Sequence, residues 1–250
     1  MKKRYKWFSF TSENEQAEYN VFCFPHAGAG ASIYAPWGKT LPESFSFFPV
    51  QLPMRENRKS EALPQSLQEL GKAVAEDNAE LFRSKPFILF GHCFGALAAY
   101  ETARYLSQNG IGTPALLILA SSVAPRVIST PFDLDSMDKA QLTEHFINIG
   151  YISKEMANSQ AYLDFFIPAL KEDCKLVYKY VPDDTVLNCP IYAPFGSDDI
   201  QTPEAEARKW SERTSSSFAA ESYSGDHFFL SADSFPKMLE KALNTVKENG

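Results

Sequence analysis

The segment Phe87-Ile-Leu-Phe-Gly-His-Cys-Phe-Gly-Ala constrains this chain more than any other. Four apolar residues suited to a strand run directly into Gly91-x-Cys93-x-Gly95. From Phe94 to Gln108 apolar residues then recur at helical spacing, until Asn109-Gly110 supplies a stop. A chain that passes from strand to helix within three residues needs a sharp, strained turn. Glycines flank the central residue of such a turn because a β-carbon there would meet neighbouring backbone. The strand therefore belongs inside a sheet, with the helix packed on one face. The atom displayed by the turn is a sulfur. A buried cysteine is usually an inert core residue, so chemistry at Cys93 requires partners elsewhere in the chain.

Short β-branched or aromatic runs alternate with longer helical segments along the rest of the sequence, with no repeat, low-complexity stretch or interdomain linker. Strands are expected at Asn20–Phe24, Phe45–Leu52, Phe87–Phe90, Ala115–Ala120, Ile191–Phe195 and Phe218–Tyr223. Helices are expected at Ser66–Arg83, Phe94–Gln108 and Pro203–Thr214. Several strands are apolar on both faces, as in a mostly parallel central sheet flanked by helices. The class is α/β, and 250 residues, 44% of them apolar, suffice for one domain spanning 1–250. Such a sheet binds ligands beyond the carboxyl ends of its strands. Roughly from residue 125 to 184 the alternation stops. Lys139–Ile149 and Ser159–Tyr180 read as helices rich in Phe, Tyr and Leu, either as extra packing or as a helical lid over a pocket.

Composition narrows the partners. Thirty-one acidic against 24 basic residues give a net charge of −7, which argues against binding nucleic acid through its phosphates. The start MKKRYKWFSF runs into polar residues with no apolar signal core, and runs such as Ala115–Ala120 are too short to span a bilayer. No membrane association, a cytoplasmic location and a monomer are the default expectations. Cys23, Cys93, Cys174 and Cys189 show neither disulfide-framework nor metal-ligand spacing, so no metal is expected, and the motifs below imply no bound cofactor.

A nucleophile needs a base and a group that orients the base. His227, in Gly225-Asp-His-Phe just after the last expected strand, would reach the same sheet edge as Cys93. His26 and His92 lie beside other site segments and read as positioning residues, while His145 falls in the insertion and reads as solvated. Phe195-Gly-Ser-Asp-Asp offers two carboxylates, Asp198 and Asp199, after a strand between nucleophile and histidine. That chain order is the one expected of an α/β-hydrolase fold. An oxyanion would need N–H donors. One is the amide of Phe94 at the helix start, and others lie in the glycine-rich loop after the first strand, Phe24-Pro-His-Ala-Gly-Ala-Gly-Ala-Ser. The continuation of that loop is a poor dinucleotide fingerprint.

These motifs together resemble the type II thioesterases of nonribosomal peptide and polyketide assembly lines. Phe22-Cys-Phe-Pro-His-Ala-Gly-Ala-Gly matches the family's first loop, Val50-Gln-Leu-Pro-Met-Arg-Glu-Asn-Arg its second motif, Pro86–Gly95 its elbow, Tyr100-Glu-Thr-Ala-Arg its following helix and Gly225-Asp-His-Phe-Phe-Leu its histidine segment. The resemblance covers nearly the whole chain. It implies Asp199 rather than Asp198 as the acid, and the amides of Ala27 and Phe94 as the oxyanion hole. It further implies hydrolysis of acyl, aminoacyl or peptidyl thioesters held on the phosphopantetheine arm of an acyl or peptidyl carrier protein.

Two residues depart from the family pattern. Met54 stands where the family has glycine, a change of loop shape rather than of chemistry. Cys93 stands where the family has serine. A cysteine attacking a thioester yields another thioester, so the acyl-enzyme keeps its transfer potential. The alternatives to hydrolysis are therefore an acyltransferase or cyclase using an amine or thiol acceptor, and a carrier-binding module without turnover. A thiol also depends less on its base, so loss of Asp199 is expected to hurt less than in a serine enzyme.

Overall fold

Six apolar runs become one sheet in the computed structural model, which describes residues 5–128 and 133–248. The strands are β1 (Tyr19–Phe24), β2 (Phe45–Pro49), β3 (Phe87–His92), β4 (Leu116–Ala120), β5 (Ile191–Gly196) and β6 (Phe218–Tyr223). They pair in the order β2-β1-β3-β4-β5-β6, every pair parallel. The basic start Met1–Arg4 and residues 129–132 of the expected insertion lie outside the described residues.

Alternate side chains of each strand feed two separate cores. Phe22, Phe24, Leu89, Leu117 and Leu119 pack on one face. Val21, Cys23, Ile88, Phe90, Leu116 and Ile118 pack on the other. The first face is covered by α1 (Leu67–Asp77) and α3 (Phe94–Gln108), with the short α2 (Ala79–Ser84) between them in sequence. Ser66 caps α1 by accepting the Glu69 N–H. The single helix expected over 66–83 breaks at Asn78, whose side-chain amide donates to the Val74 carbonyl at 2.8 Å.

Between β4 and β5 lie α4 (Lys139–Asn148), α5 (Lys154–Ala157) and α6 (Gln160–Tyr178), and no strand among the described residues. Phe146, Phe166 and Leu170 from this region join the first core. The helix expected at 203–214 keeps one α-turn, α7 (Glu204–Ala207). It then tightens to a 3₁₀ helix in which buried Trp210 donates its indole N–H to the Ser122 carbonyl. The second face is covered by α8 (Phe235–Glu248), which buries Phe235, Met238, Leu239, Ala242, Leu243 and Val246. No helix among the described residues is long and apolar enough to cross a membrane.

β2 ends at Pro49 rather than Leu52, and the chain continues into the buried loop around Arg55. There Met54 takes φ 65°, a left-handed conformation that costs a non-glycine residue about 1–2 kcal/mol. Glycine would remove that strain but adds entropy to the unfolded chain. Met54→Gly is therefore expected to stabilise the protein by about 0.5–1 kcal/mol, read as a small rise in thermal midpoint. A lower midpoint would mean that the half-buried Met54 side chain contributes more than the backbone strain removes.

Candidate active site

The sheet order reverses direction between β1 and β3, and the loops leaving their carboxyl ends meet there. Cys93 occupies the turn between β3 and α3 at φ 55° and ψ −117°, a strained conformation for any residue with a β-carbon. The flanking glycines are sterically required. A Cβ on Gly91 would stand 2.2 Å from the Gly95 carbonyl oxygen, and one on Gly95 would stand 2.2 Å from that of Phe24. Close packing of α3 against β1 and β3 is thus what holds the thiol at the sheet edge.

His227, on the loop after β6, and Asp199, after β5, come to the same place, both almost fully buried. His227 Nδ1 lies 3.0 and 2.9 Å from the two Asp199 oxygens. Asp199 Oδ1 also accepts the backbone N–H groups of Gln201 and Thr202, at 3.0 and 3.1 Å. Burial works against the Asp199 charge. Hydrogen bonding to His227, the histidine's charge, the Ser121 hydroxyl and the Gln201 N–H together hold the carboxyl below its ordinary range. Asp198, the other candidate, is exposed. The turn after β5, closed by the Asp199 N–H on the Gly196 carbonyl at 3.1 Å, leaves Asp198 outside and carries Asp199 inward.

His227 Nε2 is buried and outside regular hydrogen-bond geometry with its neighbours among the described residues. Its strongest charge interaction is with the Cys93 sulfur. Burial opposes protonation of the ring, but the Cys93 charge and the Asp199 hydrogen bond raise the imidazole to about 10. In Cys93, burial pushes the thiol up. The His227 charge, contacts with His227 and Tyr151, and the Phe94 N–H reverse this and bring it below its ordinary value. The directions match, and the pair favours thiolate with imidazolium. The other three thiols behave differently: burial alone raises Cys23 and is the chief cause that raises Cys174 and Cys189. Among four free, buried cysteines, Cys93 is the one whose thiol is lowered.

His92 donates Nε2–H to the His227 carbonyl at 2.7 Å and is held neutral chiefly by burial, so it fixes the backbone that presents His227. His26 packs edge-on against His92 and Phe228. His145 is half-buried against Phe146 rather than solvated, because α4 turns its ring toward the core.

Ala27, Phe94, Cys93 and His227 line one pocket of about 130 Å³, together with Leu97 and Val123. Its far wall comes from the segment between β4 and β5: Tyr151, Cys174, Val177 and Tyr178. The loop carrying Ala27 is itself held from outside. Gly28 N–H donates to Asp173 of α6 at 2.8 Å, and Ala31 N–H to Gln51 at 3.0 Å. Asp173 in turn receives both terminal nitrogens of Arg55, at 2.6 and 2.7 Å.

Residues 19–245 match the sequence profile of the thioesterase domain. The chain belongs to the thioesterase family. It is 30% identical over 226 residues, 90% of this chain and 88% of the other, to the gramicidin S biosynthesis protein GrsT of Aneurinibacillus migulanus. Among solved structures it resembles RedJ, a thioesterase from the prodiginine pathway of Streptomyces coelicolor, with a TM-score of 0.80 and 29% identity over 90% of this chain and 86% of that one. It also resembles BorB, a type II thioesterase from the borrelidin cluster, with a TM-score of 0.79 and 26% identity over 92% and 94%. The α/β-hydrolase fold expected from the order of nucleophile, acid and histidine is that of these thioesterases.

Two sets of site residues carry no local sequence signal. Tyr151, whose hydroxyl lies 3.5 Å from the Cys93 sulfur, comes from the turn after α4. Asp173 lies in the middle of an ordinary-looking helix, although its partner Arg55 sits within a quoted motif.

Proposed function

We propose that this thioesterase hydrolyses acyl, aminoacyl or peptidyl groups from the phosphopantetheine thiol of a carrier protein in a nonribosomal peptide or polyketide pathway, with Cys93, His227 and Asp199 as its triad. The observation that carries the reading is the single lowered thiol, Cys93, set against an imidazole that Asp199 orients. The pathway assignment rests on the likeness to GrsT, RedJ and BorB.

The thiolate attacks the thioester carbonyl carbon, and the oxyanion is received by the N–H groups of Ala27 and Phe94. When the carbon–sulfur bond to pantetheine breaks, the leaving thiolate takes the proton from His227 Nε2. Acylation removes the charge on the Cys93 sulfur, the main influence that raised the imidazole, so burial now favours its neutral form. His227 then takes a proton from water as the water oxygen attacks the acyl carbon, and Cys93 leaves as thiolate. The described helices between β4 and β5 act as the lid: α6 and Tyr151 wall the pocket in which the acyl group would lie. All groups needed are side chains and backbone amides, and the phosphopantetheine belongs to the partner.

Intact mass recorded over time on an acyl-loaded carrier protein tests this. A transient acyl adduct on Cys93 that decays to free acid is the expected result. An adduct that waits for an added amine or thiol would replace hydrolysis by acyl transfer. Carrier binding without any adduct would leave only a docking module.

A further inference from the structure

We infer that the hydroxyl of Tyr151 is a fourth working group of this centre, donating a hydrogen bond to the Cys93 sulfur and holding it as thiolate in the resting protein. The inference rests on Cys93 being the nucleophile, and adds a residue outside the triad and the oxyanion hole.

Tyr151 follows the end of α4, where its N–H is bonded to the Phe146 carbonyl at 2.9 Å. Its ring meets Phe146 and His227 edge-on, with centroids 6.4 and 6.2 Å away, which aims the hydroxyl at the Cys93 sulfur, 3.5 Å distant. That separation is within range for a hydrogen bond to sulfur. Direction follows from chemistry: the thiolate can only accept, so the phenol donates. Tyr151 can do so throughout the working range, since the Cys93 charge and burial hold its hydroxyl well above its ordinary value.

The other ionisable groups near the sulfur come from every surrounding element. His227 and Asp199 follow β6 and β5, His92 ends β3, His26 follows β1, and Cys174 and Tyr178 lie on α6. Of these only His227 carries positive charge toward the thiolate; His26 and His92 are held neutral chiefly by burial. One cation and two donors, the Phe94 N–H and the Tyr151 hydroxyl, therefore stabilise an almost fully buried anion. A serine hydroxyl at position 93 would be neutral at rest and would not need the phenol. The contact thus belongs with the cysteine.

Tyr151→Phe keeps the ring and removes one oxygen. Iodoacetamide alkylation of Cys93, followed by intact mass across pH with Cys93→Ala as background, should show its midpoint moved upward by about one pH unit. Below that midpoint, thioester turnover should fall about tenfold, with the loss fading at higher pH. In a Cys93→Ser background the same Tyr151→Phe change should alter turnover by less than about twofold. An unchanged alkylation midpoint in a variant that melts like the parent overturns the inference. So does an equal loss in both backgrounds, which would make Tyr151 a packing residue. Full turnover in Cys93→Ala is a separate result and would remove the nucleophile itself.

Discussion

Cys93→Ala should abolish thioester cleavage, and His227→Ala should lower it by about three orders of magnitude or more, with the double variant no worse than Cys93→Ala alone. Triad members act as one unit, so their losses do not add. Without His227 the leaving pantetheine thiolate has no proton donor and water no base, even though a thiol can still attack. Asp199→Asn should cost less, about ten- to a hundredfold. Orientation of the ring suffers, but the thiolate is stabilised independently by the Phe94 N–H and Tyr151. Steady-state rates on an acyl-pantetheine thioester check the order, and a loss at Asp199 as large as that at His227 would mean that ring orientation, not proton transfer, limits the reaction. The same pair shapes the pH response of stability. The His227 value is raised, so its contribution is complete below about 6.5 and disappears as pH climbs through about 10. The Asp199 value is depressed, so its contribution is present above its ordinary value of 3.8 and is lost on acidification below it. Thermal midpoints of wild type and Cys93→Ala should therefore converge as pH climbs through about 10, where the ring loses the charge that the thiolate holds on it.

Six strands are legible in the sequence to within a few residues because most are apolar on both faces, a pattern that a two-sided parallel sheet demands. α3 is legible end to end, since the elbow glycines start it and Asn109-Gly110 stops it. What escapes notice is instructive. The stripe of Phe235, Met238, Leu239, Ala242, Leu243 and Val246 has full helical spacing, and α8 could have been found from it. The break at Asn78 depends on one side chain bonding its own preceding turn, which spacing does not reveal. The meeting of Cys93, Asp199 and His227 is legible because each follows a strand at the same edge of the sheet. Tyr151 is not: it stands 58 positions from Cys93 in a connecting turn, and only the packing of the insertion brings its hydroxyl to the sulfur. The second motif, Val50–Arg58, is legible as a motif but not as a device, because the partner of Arg55 lies 118 positions away.

That partnership is where the largest loss of stability is expected. Asp173→Ala should destabilise the fold by about 3–5 kcal/mol, a large share of the roughly 5–15 kcal/mol that holds an ordinary domain together. The Arg55 and Asp173 side chains are both fully buried. The guanidinium gives two further N–H groups to the Pro53 and Ala29 carbonyls, at 2.9 and 3.2 Å. Removing the carboxylate leaves a charge with no counter-ion and the Gly28 N–H with no acceptor, and neither can reach water. Urea unfolding should show the midpoint fall with little change in slope. A cost below about 1 kcal/mol would mean that water enters the vacated space and solvates Arg55. Activity should fall beyond what the unfolded fraction explains, because Gly28 is the next residue after Ala27 and Asp173 ties its amide to α6. Asp173→Asn, which keeps one acceptor, should be intermediate in both respects. Were the pair only a stabilising contact, stability and turnover would recover together when Arg55 and Asp173 are both replaced by apolar residues of similar size. If it also sets the loop against the insertion, the double variant should regain stability but not rate, since the Ala27 amide proposed to receive the oxyanion would no longer be held against the wall of the pocket.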